Sequence, residues 1–98
     1  MKNALLILAC GLFLTSCFEE DRWTAFVYPD IENIPNAGDV QNYTIGDYKS
    51  FEECQEAAVA RVNNNYRTTG KQGDYECGLN CTKRDEYGGL LICETDKK

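Results

Sequence analysis

Ser50-Phe51-Glu52-Glu53-Cys54-Gln55-Glu56-Ala57-Ala58-Val59-Ala60-Arg61-Val62 is the clearest element of the chain, and the fold is read outward from it. Ser50 stands where a helix N-cap belongs. Glu53, three residues on, completes a capping box: the hydroxyl accepts from the Glu53 backbone N–H while the carboxylate reaches back. Glu52 and Glu53 also sit in the positive field of the first turn. Phe51, Cys54, Ala58 and Val62 recur at helical spacing and make one apolar face, with Ala57 beside it. Alanines there let the helix approach a sheet closely, within reach of a disulfide from Cys54. Asn63-Asn64-Asn65 weakens the pattern, so the helix is expected to stop near them, with Gly70 well beyond its end.

Before the helix, Trp23-Thr24-Ala25-Phe26-Val27-Tyr28 is rich in β-branched and aromatic residues and reads as a strand that Pro29-Asp30 ends. Residues 29–47 hold both prolines, two glycines and several Asn and Asp, the composition of a loop with a short extended piece at Gln41–Ile45. After the helix, Asp74-Tyr75-Glu76-Cys77 and Leu90-Leu91-Ile92-Cys93-Glu94 read as two strands. The loop between them carries Cys81, the charged run Lys83-Arg84-Asp85-Glu86 and Gly88-Gly89, and Thr95–Lys98 reads as a frayed polar tail. The order predicts an α+β fold: a small disulfide-stapled β-α-β-β domain with one helix packed on a short antiparallel sheet.

The N-terminus has a different character. Met1-Lys2-Asn3 is a minimal positive segment, and Ala4–Phe13 is an apolar run of signal-peptide length, too short to span a bilayer as a helix. Leu14-Thr15-Ser16-Cys17 closes it and resembles the lipobox of bacterial lipoproteins. The resemblance implies that residues 1–16 are a signal peptide and that Cys17 is diacylated, becomes residue one and is acylated again on its amine. Cys10, preceded by Ile7-Leu8-Ala9, is a weaker match because Leu stands where a small residue is wanted. Residues 17–22 are then the lipidated cysteine and a short tether, reaching at most ~17 Å, and 23–98 are the folded domain. In lipoproteins an Asp after the modified Cys signals inner-membrane retention. Phe18 in that place implies the outer membrane, facing the periplasm, with three acyl chains far above the threshold for stable anchoring. Tyr75-Glu76-Cys77-Gly78-Leu79-Asn80-Cys81 with Ser50–Cys54 is also similar to short uncharacterised bacterial lipoproteins, a likeness that brings no activity.

Loss of residues 1–16 leaves 82 residues with nine Lys plus Arg against sixteen Asp plus Glu, a net charge of −7. A domain of that size buries only ~60% of its unfolded surface and often needs a staple. Cys54, Cys77, Cys81 and Cys93 remain, an even number that in an exported chain reads as two disulfides with three possible connectivities. The element order favours Cys54–Cys77, tying helix to sheet, with Cys81–Cys93 closing the loop between the last strands. A four-thiolate zinc site is the competing reading of the same cysteines. The oxidising compartment and the lack of a C-x2-C pair oppose it, so no metal is expected.

Function classes are mostly removed by what is missing. The chain has no histidine, which takes away the commonest general base, the commonest metal ligand and the usual nucleophile pairs. No nucleophile-elbow, phosphate-loop or zinc-protease motif occurs. Carboxylate pairs such as Asp30 with Glu32 or Glu52 with Glu56 read as solvated surface. The Asp30-Ile31-Glu32-Asn33 and Asn36-Ala37-Gly38-Asp39 oxygens lack the calcium-loop pattern, and turn formation explains them. No catalytic residue and no cofactor are therefore expected, and a pI near 4.5 opposes nucleic acid. Trp23, Phe26, Phe51 and Tyr75 are expected in the core, while Tyr43, Tyr48, Tyr66 and Tyr87 lie in polar surroundings that suit either contacts or loop packing. The expected function is a non-enzymatic, lipid-anchored binding module for an envelope protein or cell-wall partner. Its expected contact surface is the 29–48 loop with Tyr87-Gly88-Gly89. An acidic inhibitor of a cationic cell-wall hydrolase such as lysozyme is the alternative, and a structural envelope component the third class.

Overall fold

β1 (Trp23–Tyr28) is buried at every position, which makes it the centre of the domain with both faces covered. The computed structural model describes residues 20–98, so the expected signal peptide (residues 1–16), Cys10 and the expected lipidation site Cys17 lie outside the described residues. β1 pairs antiparallel with β2 (Thr44–Tyr48) on one side and β3 (Asp74–Leu79) on the other, and β6 (Thr95–Lys97) extends β3. The sheet order is β2-β1-β3-β6. With α1 (Phe51–Thr69) and two disulfides, this is a small α+β domain.

Alternation along β1 sorts its side chains. Trp23, Ala25 and Val27 join Cys54, Ala58, Val62 and Cys77 in the core beneath α1. Ala25, Ala58, Cys54 and Cys77 are fully buried, so small side chains let helix and sheet close on the Cys54–Cys77 bridge. Trp23 meets Phe51 edge-on with ring centroids 5.4 Å apart, worth about 0.5–1.5 kcal/mol beyond area burial. Phe51 and Tyr75 are partly buried flanks of this core. Phe26 and Tyr28 point the other way and build a second apolar cluster with Val40, Tyr43, Cys81, Leu91 and Cys93.

Several elements differ from their sequence expectations, each for a physical reason. α1 runs through Asn63–Asn65 to Thr69, because the stop is supplied later: Gly70 takes the left-handed conformation (φ 76°) and its N–H donates to the Tyr66 carbonyl at 2.8 Å. Each Asn costs a helix only about 0.7 kcal/mol, less than the buried apolar face returns. The Ser50 hydroxyl accepts from the Glu53 N–H at 3.1 Å, but the Glu53 carboxylate reaches back to the Lys49 N–H at 3.4 Å. The 29–47 segment is not all loop: it contains a 3-10 helix (Ala37–Tyr43) and, from Thr44, edge strand β2, so of the extended piece expected at Gln41–Ile45 only Thr44 and Ile45 are strand. Gly46 and Asp47 are poor strand formers, yet pairing against Ala25 and Thr24 overrides that preference.

The tail is also a strand. β6 pairs with β3 through Cys77↔Lys97, Gly78↔Asp96 and Leu79↔Thr95. The Lys97 ammonium lies over the Phe51 ring at 4.9 Å, which holds this edge to the helix side. β5 (Leu90–Ile92) does not enter the main sheet. It pairs with β4 (Thr82–Arg84) in a separate hairpin, with a 3-10 turn (Asp85–Tyr87) between them, and the Cys81–Cys93 bridge closes its base. Among the described residues no helix is long and apolar enough to cross a membrane.

Candidate binding groove

The hairpin and the Ala37–Tyr43 helix both pack on the face of the sheet away from α1, and a groove of about 340 Å³ opens between them. Phe26 and Tyr28 of β1 and Glu76 of β3 line it from the sheet, Ala37 and Val40 from one wall, Leu90–Cys93 from the other, and Asp96 from β6. Local rules place these groups. Cys77 points into the helix-side core, so its neighbours Glu76 and Gly78 face the groove side. Gly78 has no side chain to stand in the way of the Cys81–Cys93 bridge, which lies directly over it. Leu91 and Cys93 can therefore pack down onto Phe26 and Tyr28.

The groove is apolar with one acidic end. The Tyr28 hydroxyl donates to the Glu76 carboxylate at 2.6 Å. Burial first, then that bond and the surrounding carboxylates, raises the Tyr28 phenol far above its ordinary range and keeps it neutral. Asp96 keeps much of its surface in solvent, yet partial burial and, after it, the Glu76 charge hold its carboxyl above the usual carboxylate range. Next to this end, Asp74 accepts from the Lys98 ammonium at 2.6 Å. Desolvation pushes Asp74 up, but Lys98 and the Tyr75 N–H outweigh it and leave Asp74 below its ordinary value. An apolar channel ending in two carboxylates can receive a cation carried on a hydrocarbon stem.

A second, more polar depression of about 310 Å³ lies on the same face, lined by Arg22, Thr24, Gln41, Thr44, Gly46, Asp47, Cys81 and Leu91. There Thr24 donates to Asp47 at 2.7 Å, and Arg22 donates to the Cys81 carbonyl. These bonds tie the chain entering β1 to both β2 and the hairpin.

The expected contact surface divides. The Ala37–Tyr43 helix of the 29–48 segment is brought against β5 and forms the groove wall. Tyr87 lies exposed on the turn before Gly88-Gly89 and does not line the groove. Tyr43 packs beside Tyr28 with ring centroids 5.8 Å apart and Tyr48 packs on the helix-side core, whereas Tyr66 is exposed on α1. Asp30 accepts from the Glu32 N–H and the Asn33 side chain, a local turn that draws its carboxyl below the ordinary range through the Glu32 N–H first. Among the described residues no group of three or more His, Cys, Asp or Glu is placed to hold a metal ion. Glu76 and Asp96 escaped the sequence reading. The strand pattern around buried Cys77 could have turned Glu76 outward, but nothing in the sequence placed Asp96 beside it.

Compared with known proteins, the chain matches no family model, no curated protein and no solved structure.

Proposed function

We propose that the protein is a non-enzymatic, lipid-anchored module of the bacterial outer membrane that binds an envelope protein or cell-wall partner in the periplasm. The observation that carries this reading is the groove: two separate segments, the Ala37–Tyr43 helix and the β4–β5 hairpin, are held on one face of the sheet around an accessible apolar channel. The lipobox-like Leu14-Thr15-Ser16-Cys17 supports the anchor. With acyl chains on Cys17, the tether would bring the Trp23 end of β1 toward the bilayer and leave Tyr28 about 17 Å further along the strand. The test is capture from solubilised cell envelope, with the oxidised protein as bait and its reduced, alkylated form as control. A partner held only by the oxidised bait supports the reading, and no saturable partner for either form refutes it in favour of a structural envelope role.

The acidic end of the groove favours one second reading, an inhibitor of a cationic cell-wall hydrolase such as lysozyme. An inhibitor steered by a net charge of −7 loses association rate steeply as salt rises. A rate indifferent to salt counts against it.

A further inference from the structure

We propose that the groove between the Ala37–Tyr43 helix and β5 seats one arginine or lysine side chain of a partner protein, its stem along Phe26, Val40 and Leu91 and its charged head at Glu76 and Asp96. The proposal rests on the binding-module reading and names what the module recognises. The lining residues include two carboxylates and no basic side chain. Nor do the nearby cations of the chain form an ion pair with them: Lys97 lies over Phe51 on the opposite face, and Lys98, although the Glu76 charge acts on it, is paired with Asp74. Among the described residues neither Glu76 nor Asp96 makes an ion pair. The Tyr28 hydroxyl occupies only one of the several acceptor positions of the Glu76 carboxylate and fixes its orientation.

The occupant follows from the mix of surfaces. A bare calcium ion wants six to eight oxygen ligands, and here two carboxylates stand among aliphatic and aromatic side chains. A purely apolar side chain would leave both charges partly desolvated and unpaired, a penalty already visible in the raised Asp96 carboxyl. A long side chain with a hydrocarbon stem and a cationic tip satisfies both parts at once. The sheet residues that receive it are on paired strands, so the site needs little ordering on binding.

The test is an NMR titration of the oxidised protein with a capped pentapeptide carrying a central arginine between leucines, beside the same peptide with neutral citrulline in its place. The expected result is chemical-shift change centred on Glu76, Leu91 and Asp96, with citrulline weakening binding at least about tenfold, as does Asp96→Asn or Glu76→Gln. Asp96→Asn is the decisive variant, because Glu76→Gln also disturbs the bond from Tyr28. Equal affinity for the two peptides, shifts centred elsewhere, or no binding at millimolar peptide overturns the proposal. If the captured envelope partner binds Asp96→Asn as well as it binds the native chain, the groove is wrong and the module stands. If the bait captures nothing, the module reading fails, whatever the peptide does.

Discussion

Gly78 lies beneath Cys93, so close that a Cβ on Gly78 would stand 2.6 Å from the Cys93 sulfur. The same atom would meet the Cys81 sulfur at 2.6 Å and an Asp96 carboxylate oxygen at 3.0 Å. Even one methyl group must lift the bridge off the sheet. Gly78→Ala is expected to destabilise by about 1–3 kcal/mol, the usual cost of overpacking. It should also loosen the Leu91 contact with Phe26 while leaving the α1 core in place. Thermal melts with amide exchange of β5 against α1 check this; a melting point equal to that of the native chain refutes it.

The two bridges have different tasks. Cys54–Cys77 is wholly buried between helix and sheet, and Cys81–Cys93 holds the hairpin over the groove. Cys54→Ser or Cys77→Ser should cost about 3 kcal/mol, on a chain-entropy basis, and disturb the whole domain. Cys81→Ser should spare α1 and open the groove. Non-reducing peptide mapping should yield the Cys54–Cys77 and Cys81–Cys93 pairs, and a Cys54–Cys93 peptide would refute this arrangement.

Asp96 gives a pH signature. Burial and the Glu76 charge raise its folded-state carboxyl, so the folded protein holds that proton more tightly than the unfolded chain. Stability from this group is then complete below the ordinary Asp value of about 3.9 and is lost as pH rises through the raised folded value. Asp96→Asn, neutral throughout, should melt higher than the native chain near neutral pH, and the difference should vanish below about pH 3.9. Melting curves of both proteins across that range decide it; a constant offset refutes the assignment.

The helix cap makes a local prediction. The Ser50 hydroxyl accepts from the Glu53 N–H at 3.1 Å. Ser50→Ala should cost about 1 kcal/mol, measured by urea unfolding, with the slope unchanged.

At the N-terminus, Cys17→Ser should abolish the mass added by acylation and release the protein from the membrane fraction. Intact-mass spectrometry of the purified membrane form reads this directly. An unmodified Cys17 in a membrane-free protein overturns the anchor.

What the sequence by itself determined was whatever local chemistry controls. The Ser50–Glu53 cap and the Phe51, Cys54, Ala58, Val62 stripe marked α1, and the β-branched and aromatic run marked β1. Four of the six cysteines, Cys54, Cys77, Cys81 and Cys93, marked a stapled domain, and the element order marked it as α+β. Tertiary structure decided the elements that local preference disfavours. β2 contains Gly46 and Asp47, and β6 is a charged three-residue segment; each is a strand only because a buried neighbour offers unpaired backbone groups. The end of α1 was a matter of Gly70 rather than of the Asn run before it. The groove depended most on folding. Tyr28, Val40, Glu76, Leu91 and Asp96 are scattered along the chain. They meet because β1 pairs with β3, β3 pairs with β6, and the Cys81–Cys93 bridge lays a hairpin across Gly78. Local preferences extend over a few residues, whereas a site assembled across five elements exists only once long-range pairing has closed.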